Sequence, residues 1–230
     1  MPTHIIFTTI IKNAGINSRS KYITKLYPAL NHNTLQSLLG NTDIYLIDQI
    51  LKNRYNENDL ILDAGCGGGR NLHWFLQNNM LIYGTDIQKE AILQMQLAHP
   101  SLPKERLLIT PVERMPFAAN YFDHIISSAV LHFATSKFHF MQMMAEMVRV
   151  LKPEGTIFIR MTADIGIQNR VHEIADGVYE IPDGSIRFLL TKKLLAEMMQ
   201  QFHLDFTEPL KTVNVDDVRC MSTLMLQKRN

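Results

Sequence analysis

From about residue 58 onward, short apolar runs alternate with stretches of helical periodicity, the pattern of βαβ units feeding a parallel sheet. The first run, Leu60-Ile61-Leu62, ends in Asp63 and a glycine-rich turn, after which Leu72, Phe75 and Leu76 recur at helical spacing. A second strand reads 81–86, again ending in an acid, and a helix over 89–99 closes at Pro100. Third and fourth strands read 107–110 and 122–128. Between 136 and 151, Phe138, Met141, Met144, Ala145, Val148 and Leu151 share one stripe and predict a core-facing helix, with methionine filling gaps in the packing. The turn Lys152-Pro153-Glu154-Gly155 leads to a fifth strand at 156–161. A helix over 191–202 precedes two runs, 210–215 and 219–227, joined so tightly that they must pair antiparallel. Ahead of the sheet, 35–51 has the spacing of one broken or two short helices around Gly40-Asn41, expected to cap it, and residues 1–30 support no assignment.

The chemistry concentrates where the first strand ends, in Asp63-Ala64-Gly65-Cys66-Gly67-Gly68-Gly69-Arg70. A dinucleotide loop would read Gly-x-Gly-x-x-Gly, but the final place is Arg70 and the third glycine comes one residue early. Asp63 adds a negative charge that opposes a pyrophosphate and suits a ligand carrying an ammonium group. No Gly-Lys-Ser or Gly-Lys-Thr follows, so a P-loop is excluded. The second strand ends at Asp86, 21 positions after Gly65, where a carboxylate can accept from both hydroxyls of a ribose.

Composition changes this picture little. A chain of 230 residues, 46% apolar and 20% charged, can bury one substantial core, and a net charge of +1 creates no field that demands nucleic acid. Lys12, Arg19, Lys21 and Lys25, with no acid before Asp43, form a local basic arm that reads either as a solvated face or as a substrate-steering surface. Cys66 and Cys220 cannot build a disulfide framework, no apolar run is long enough for a span, and no export signal is evident, so a cytoplasmic, membrane-free protein is expected. The histidines are scattered without metal-ligand spacing.

Several motifs in order resemble the class I S-adenosylmethionine-dependent methyltransferases, across about residues 58–161. The first is the acid-x-Gly-x-Gly-x-Gly loop. Met115-Pro116-Phe117 with Tyr121-Phe122-Asp123 is similar to the family's lead into its fourth strand, and Ser127-Ser128-Ala129-Val130-Leu131-His132 to that strand's exit. Glu146-Met147-Val148-Arg149-Val150-Leu151-Lys152-Pro153-Glu154-Gly155 is similar to its Arg-Val-Leu-Lys-Pro-Gly-Gly helix end. The resemblance implies an α/β fold, a Rossmann-like three-layer sandwich with a mostly parallel seven-stranded sheet and an antiparallel last strand, in a single domain. Within it, 1–57 would be arm and cap helices, 58–161 the cofactor core, 162–190 a substrate lid and 191–230 a helix and hairpin.

It also implies S-adenosyl-L-methionine as cofactor, held by Asp63, Gly65, Cys66, Gly67, Gly69, Asp86, Ile87, Val112, Glu113 and Ser128. Pro111 departs from the family pattern, because many relatives place there an aspartate that bonds the adenine amino group. Val112 and Glu113 are the substitutes at hand. Ile87 reads equally as an adenine contact or as a core residue. His132 is the candidate general base, or else holds a loop by a hydrogen bond. The Asn/Asp-Pro-Pro-aromatic and Pro-Cys motifs of relatives that methylate amino groups or cytosine carbon are missing after the fourth strand, so the resemblance implies a small-molecule methyl acceptor, with no DNA and RNA disfavoured; a non-catalytic S-adenosylmethionine-binding module and an RNA methyltransferase are the alternatives.

Overall fold

The computed structural model describes residues 32–230. The basic arm at Lys12, Arg19, Lys21 and Lys25 lies outside the described residues. The chain divides into two compact units, 1–40 and 41–230. In the first, helix α1 (His32–Leu39) ends at Gly40, whose amide donates to the carbonyl of Gln36. The second unit carries the entire sheet.

That unit opens with α2 (Ile44–Leu51), capped by the Asp43 side chain, which accepts from the Tyr45 amide. Then come β1 (Leu60–Ala64), α3 (His73–Gln77), β2 (Leu81–Asp86), α4 (Lys89–Ala98), β3 (Leu107–Ile109), β4 (Phe122–Ser128), α5 (Lys137–Val150) and β5 (Leu151–Thr162). β1 to β5 run parallel in the order β5-β4-β1-β2-β3, so strand order reverses between β1 and β4. In such a sheet the crevice beyond the carboxyl ends at the reversal is where ligands bind. Alternate side chains sort into two cores. Leu62, Ile125, Ile157 and Ile159 meet α5 on one face; Ile61, Ile82, Ile126 and Phe158 meet α2, α3 and α4 on the other.

Helix α5 corrects the expected stripe. Phe140, Met143, Met144, Met147 and Val150 are buried, at i, i+3, i+4, i+7 and i+10, while Phe138 is 71% exposed and Ala145 also faces solvent. Ser136 fixes the start by accepting from the His139 amide, and the turn so set points Phe138 outward. Strand β5 includes the expected turn as a bulge: Phe122 pairs with Leu151 and His124 with Thr156.

The segment 162–190 is built rather than loose. Strands β6 (His172–Ala175), β7 (Val178–Glu180) and β8 (Ile186–Phe188) form a separate antiparallel sheet. Phe188 anchors it by stacking on Phe140 of α5, centroids 4.9 Å apart. After α6 (Lys192–Gln201), β9 (Leu204–Phe206) and β10 (Lys211–Val215) lie in succession along one edge of β11 (Arg219–Lys228), whose other edge pairs antiparallel with β5. β9, absent from the sequence reading, and β10 are one interrupted edge, so the sheet has seven positions. Among the described residues, no helix is long and apolar enough to cross a membrane.

The interruption, Thr207 to Leu210, has a structural use. Glu208 accepts from Gln49 at 2.8 Å, Lys52 at 2.6 Å and Lys211 at 2.9 Å, with Arg54 at 3.4 Å, tying α2 to the sheet edge. Burial raises the Glu208 pKa, but the hydrogen bonds from Lys52, Lys211 and Gln49 outweigh it and bring it to about 2. A carboxyl depressed in the fold stabilises it above its unfolded pKa and loses that contribution as pH falls through the folded value. Glu208→Gln should therefore be less stable by about 1–3 kcal/mol at neutral pH, and denaturant titrations should show the wild type losing that advantage as pH falls from about 4.5 to about 2.

Candidate functional site

The glycine loop is held by its own backbone. Past the last β1–β2 pair, the carbonyl of Thr85 accepts from both the Gly65 and the Cys66 amides at 2.8 Å. Asp86 Oδ2 accepts from the Gly67 amide and Oδ1 from the Gln88 amide, each at 2.8 Å, while the Gly69 amide closes on the Cys66 carbonyl at 2.9 Å. These amides are spent inside the protein and form no anion cradle. Gly65 (φ +86) has no room for a side chain, since a Cβ would meet Val130 Cγ2 at 2.4 Å. Gly67 (φ +50) is different: a Cβ there meets nothing within 4 Å, because the space over the loop is open.

That space belongs to a cavity of about 450 Å³ at the β1/β4 crevice, lined by Gly65, Gly67, Asp86, Ile87, Gln88, Pro111, Val112, Glu113, Ala129, Val130, Phe133, His139 and Met143. Its polar end is Asp86, whose carboxylate is fixed by two amides and keeps lone pairs for further donors. Its middle is apolar. Ile87 is 71% exposed and stands at the mouth, which removes its core reading, and Phe133 is 62% exposed beside it.

Beneath the loop lies a buried polar layer. Asp63 is 1% exposed, and neither carboxylate oxygen has a hydrogen-bond partner among the described residues. Burial pushes its carboxyl up to about 7; the charge of Arg70 acts against this and that of Asp86 with it. Beside it, Asp43 Oδ2 takes hydrogen bonds from Arg160 at 3.0 Å and Ser128 Oγ at 3.3 Å, and Arg70 donates to Ser128 Oγ at 3.2 Å. A buried carboxyl without a partner among the described residues, directly below a loop that lines the cavity, suits a cationic group.

The Methyltransferase domain model matches residues 62–159. Over 126 residues the chain is 30% identical to a tRNA U34 carboxymethyltransferase of Pseudoalteromonas atlantica, covering 54% of this chain and 36% of that one. Over 109 residues it is 30% identical to a tRNA (carboxymethyluridine(34)-5-O)-methyltransferase of Arabidopsis thaliana, covering 45% and 24%. The chain thus spans about a third or less of the length of both. Its fold matches a solved 1,6-didemethyltoxoflavin-N1-methyltransferase of Burkholderia thailandensis with bound S-adenosylhomocysteine, at a TM-score of 0.62 and 16% identity, covering 92% and 87%. Residues 62–159 thus carry a methyltransferase domain, and the chain is similar to S-adenosylmethionine-dependent methyltransferases.

The methyltransferase takes S-adenosylmethionine as its cofactor, and its residues fit that group: an unpaired acid for an ammonium, a fixed acid for a ribose, an apolar slot for a base and no amide cradle for phosphate. Of the expected contacts, Gly65, Gly67, Asp86, Ile87, Val112 and Glu113 line the cavity. Asp63 and Ser128 lie in the layer below. Cys66 and Gly69 do not line it: the Cys66 thiol packs against Gly84 in the core and Gly69 faces Met95. Burial, with Asp63 and Asp86 adding, pushes the Cys66 thiol up, so it stays protonated.

His132 lies in a 3-10 turn (Leu131–Phe133) after β4, buried, not in the cavity wall, with Nδ1 lacking a partner among the described residues. Burial, then the charges of Arg187, Arg219 and Arg160, pushes its pKa down to about 4. That is far from the near-neutral value that suits a general base. Its ring packs edge-on to Phe133 at 4.5 Å, and the Arg187 guanidinium lies 5.2 Å from the Phe133 ring centroid. Arg187 belongs to the 162–190 segment expected as a substrate lid, whereas Phe133, His139, Met143 and Arg160 escaped the sequence reading. Phe133 alone had a signal, as the residue after the strand-four exit motif.

Gly67→Ala separates binding from folding. The substitution should lower stability by only about 1–2 kcal/mol for the left-handed backbone, since the new methyl meets no protein atom. In calorimetry it should weaken S-adenosylhomocysteine about tenfold or more, because that methyl enters the ligand space. Unchanged affinity would remove the loop from the site.

Proposed function

We propose that this methyltransferase transfers a methyl group from S-adenosylmethionine to a carboxylate oxygen of its acceptor, and that the acceptor is a carboxymethylated uridine of tRNA. Asp63 receives the cofactor's ammonium and Asp86 its ribose hydroxyls. One observation carries the acceptor reading: the Arg187 guanidinium lies 5.2 Å from the ring centroid of Phe133, which packs on His132, and the charges of Arg187, Arg219 and Arg160 reach that imidazole and, after burial, lower its pKa. Arginines there favour an anionic acceptor. S-adenosylmethionine supplies a methyl already activated by the sulfonium, so an ionised carboxylate oxygen can accept it with no proton to remove. A weakly basic His132 accords with that chemistry, which needs no general base.

The names of two curated relatives support this reading, since both concern U34 of tRNA and a carboxymethyl group. They give no support to the expectation that disfavoured RNA. A small carboxylic acid is the second reading, favoured by a cavity of about 450 Å³ that cofactor and acceptor would share.

The test incubates the protein with methyl-labelled cofactor and either tRNA containing carboxymethyluridine or a metabolite extract. Label should enter the tRNA and be released by mild alkali, as a methyl ester is, and Arg187→Ala should lower kcat/KM about tenfold. Alkali-stable label would refute the carboxylate, and label confined to the metabolite fraction would select the small acid.

A further inference from the structure

The base end of the cavity contains a pair that no motif announces. Residues 110–114 form a turn in which the Arg114 amide donates to the Pro111 carbonyl at 3.2 Å and Thr110 Oγ1 to the Arg114 carbonyl at 2.7 Å. The turn presents Glu113 to the cavity. Opposite stands His139, in the first turn of α5, with Nε2 3.5 Å from Glu113 Oε2. The Thr135 amide donates to His139 Nδ1 at 3.2 Å, so that nitrogen carries the lone pair and the ring proton sits on Nε2, facing the carboxylate. The helix is itself clamped to the same loop: Glu146 accepts from the Met115 amide at 2.7 Å, and Arg149 donates to the Met115 carbonyl at 3.1 Å. The backbone segments that carry His139 and Glu113 are therefore held together by the fold.

With Asp86 at the ribose end and Ile87 at the mouth, the cofactor's base extends toward Glu113. The hydrogen-bonding edge of adenine includes an exocyclic amino donor, and the Pro111 side chain offers no acceptor for it. We propose that His139 is a positioning residue that holds the Glu113 carboxylate as acceptor for the adenine amino group, making the Thr135–His139–Glu113 chain the determinant of base specificity. The inference rests on the cofactor and not on the acceptor reading.

Calorimetry with two ligands tests it: S-adenosylhomocysteine, and S-inosylhomocysteine, in which an oxo group replaces the amino group. Wild type should prefer the adenosyl ligand by about tenfold or more, since the oxo group would face a carboxylate. Glu113→Ala should abolish the preference. His139→Ala should reduce it several-fold and His139→Gln, whose amide can donate to Glu113, should restore it. In the Glu113→Ala background, His139→Ala should change nothing further. A preference that survives His139→Ala, or equal weakening of both ligands, would overturn the proposal by making His139 a packing residue. Absence of binding by wild type to either ligand would overturn the cofactor assignment along with it.

Discussion

The site depends on how the backbone amides of the glycine loop are used. Thr85 takes the amides of Gly65 and Cys66, and Asp86 takes that of Gly67, so the β1–β2 pairing continues past the strand ends into the loop. The loop is therefore rigid without a ligand, and its donors are turned inward. A phosphate would find few amides to bind. What remains available is acidic: Asp86 at the rim and Asp63 below. The same hydrogen bonds that fix the loop thus select a ligand with cationic and hydroxyl groups over a phosphorylated one.

The rest of the architecture serves this crevice. The reversal of strand order between β1 and β4 opens it, and α5 closes the base side with His139 and Met143. On the opposite side, β5 brings Arg160 beside Ser128, and the small sheet brings Arg187 over Phe133. The β6–β8 sheet is held to the core through Phe188 on Phe140, so the wall carrying Arg187 is anchored by an apolar contact while its charged side chain remains near the site. Stability and function are also separable in space, because the Glu208 cluster ties α2 to the sheet edge by charges that do not line the cavity.

Legibility in the sequence followed how local each feature was. Asp63, Gly65, Gly67 and Asp86 could be read because strand, loop and strand are close in the chain and their spacing carries the chemistry. The strand pattern through β5 was read for the same reason. Glycine counting could not tell which loop positions face a ligand: Gly69 and Cys66 turn into the core, where Met95 and Gly84 meet them. The α5 stripe was misread by part of a turn because Phe138 is apolar, and only the Ser136 cap shows where the helix begins. β9 and β6–β8 are short and gain their pairing from distant strands or from the Phe188 anchor. Arg160 and His139 become neighbours of the site only through topology, so nothing along the chain marks them, whereas Arg187 lies in the segment expected as a substrate lid.

Asp63 gives the most direct test. Its carboxyl, unpaired and raised to about 7 in the fold against 3.8 unfolded, holds its proton in the folded state while the unfolded chain releases it, so stability falls as pH rises across that window. The decisive measurement is denaturant unfolding of the wild type and Asp63→Asn between pH 4 and 8, with and without saturating S-adenosylhomocysteine. The account predicts that the ligand-free wild type loses stability relative to Asp63→Asn up to about pH 7, and that the ligand, by bringing an ammonium to the ionised carboxylate, stabilises the wild type more than the variant. Parallel pH curves, or equal stabilisation of both proteins by the ligand, would contradict it.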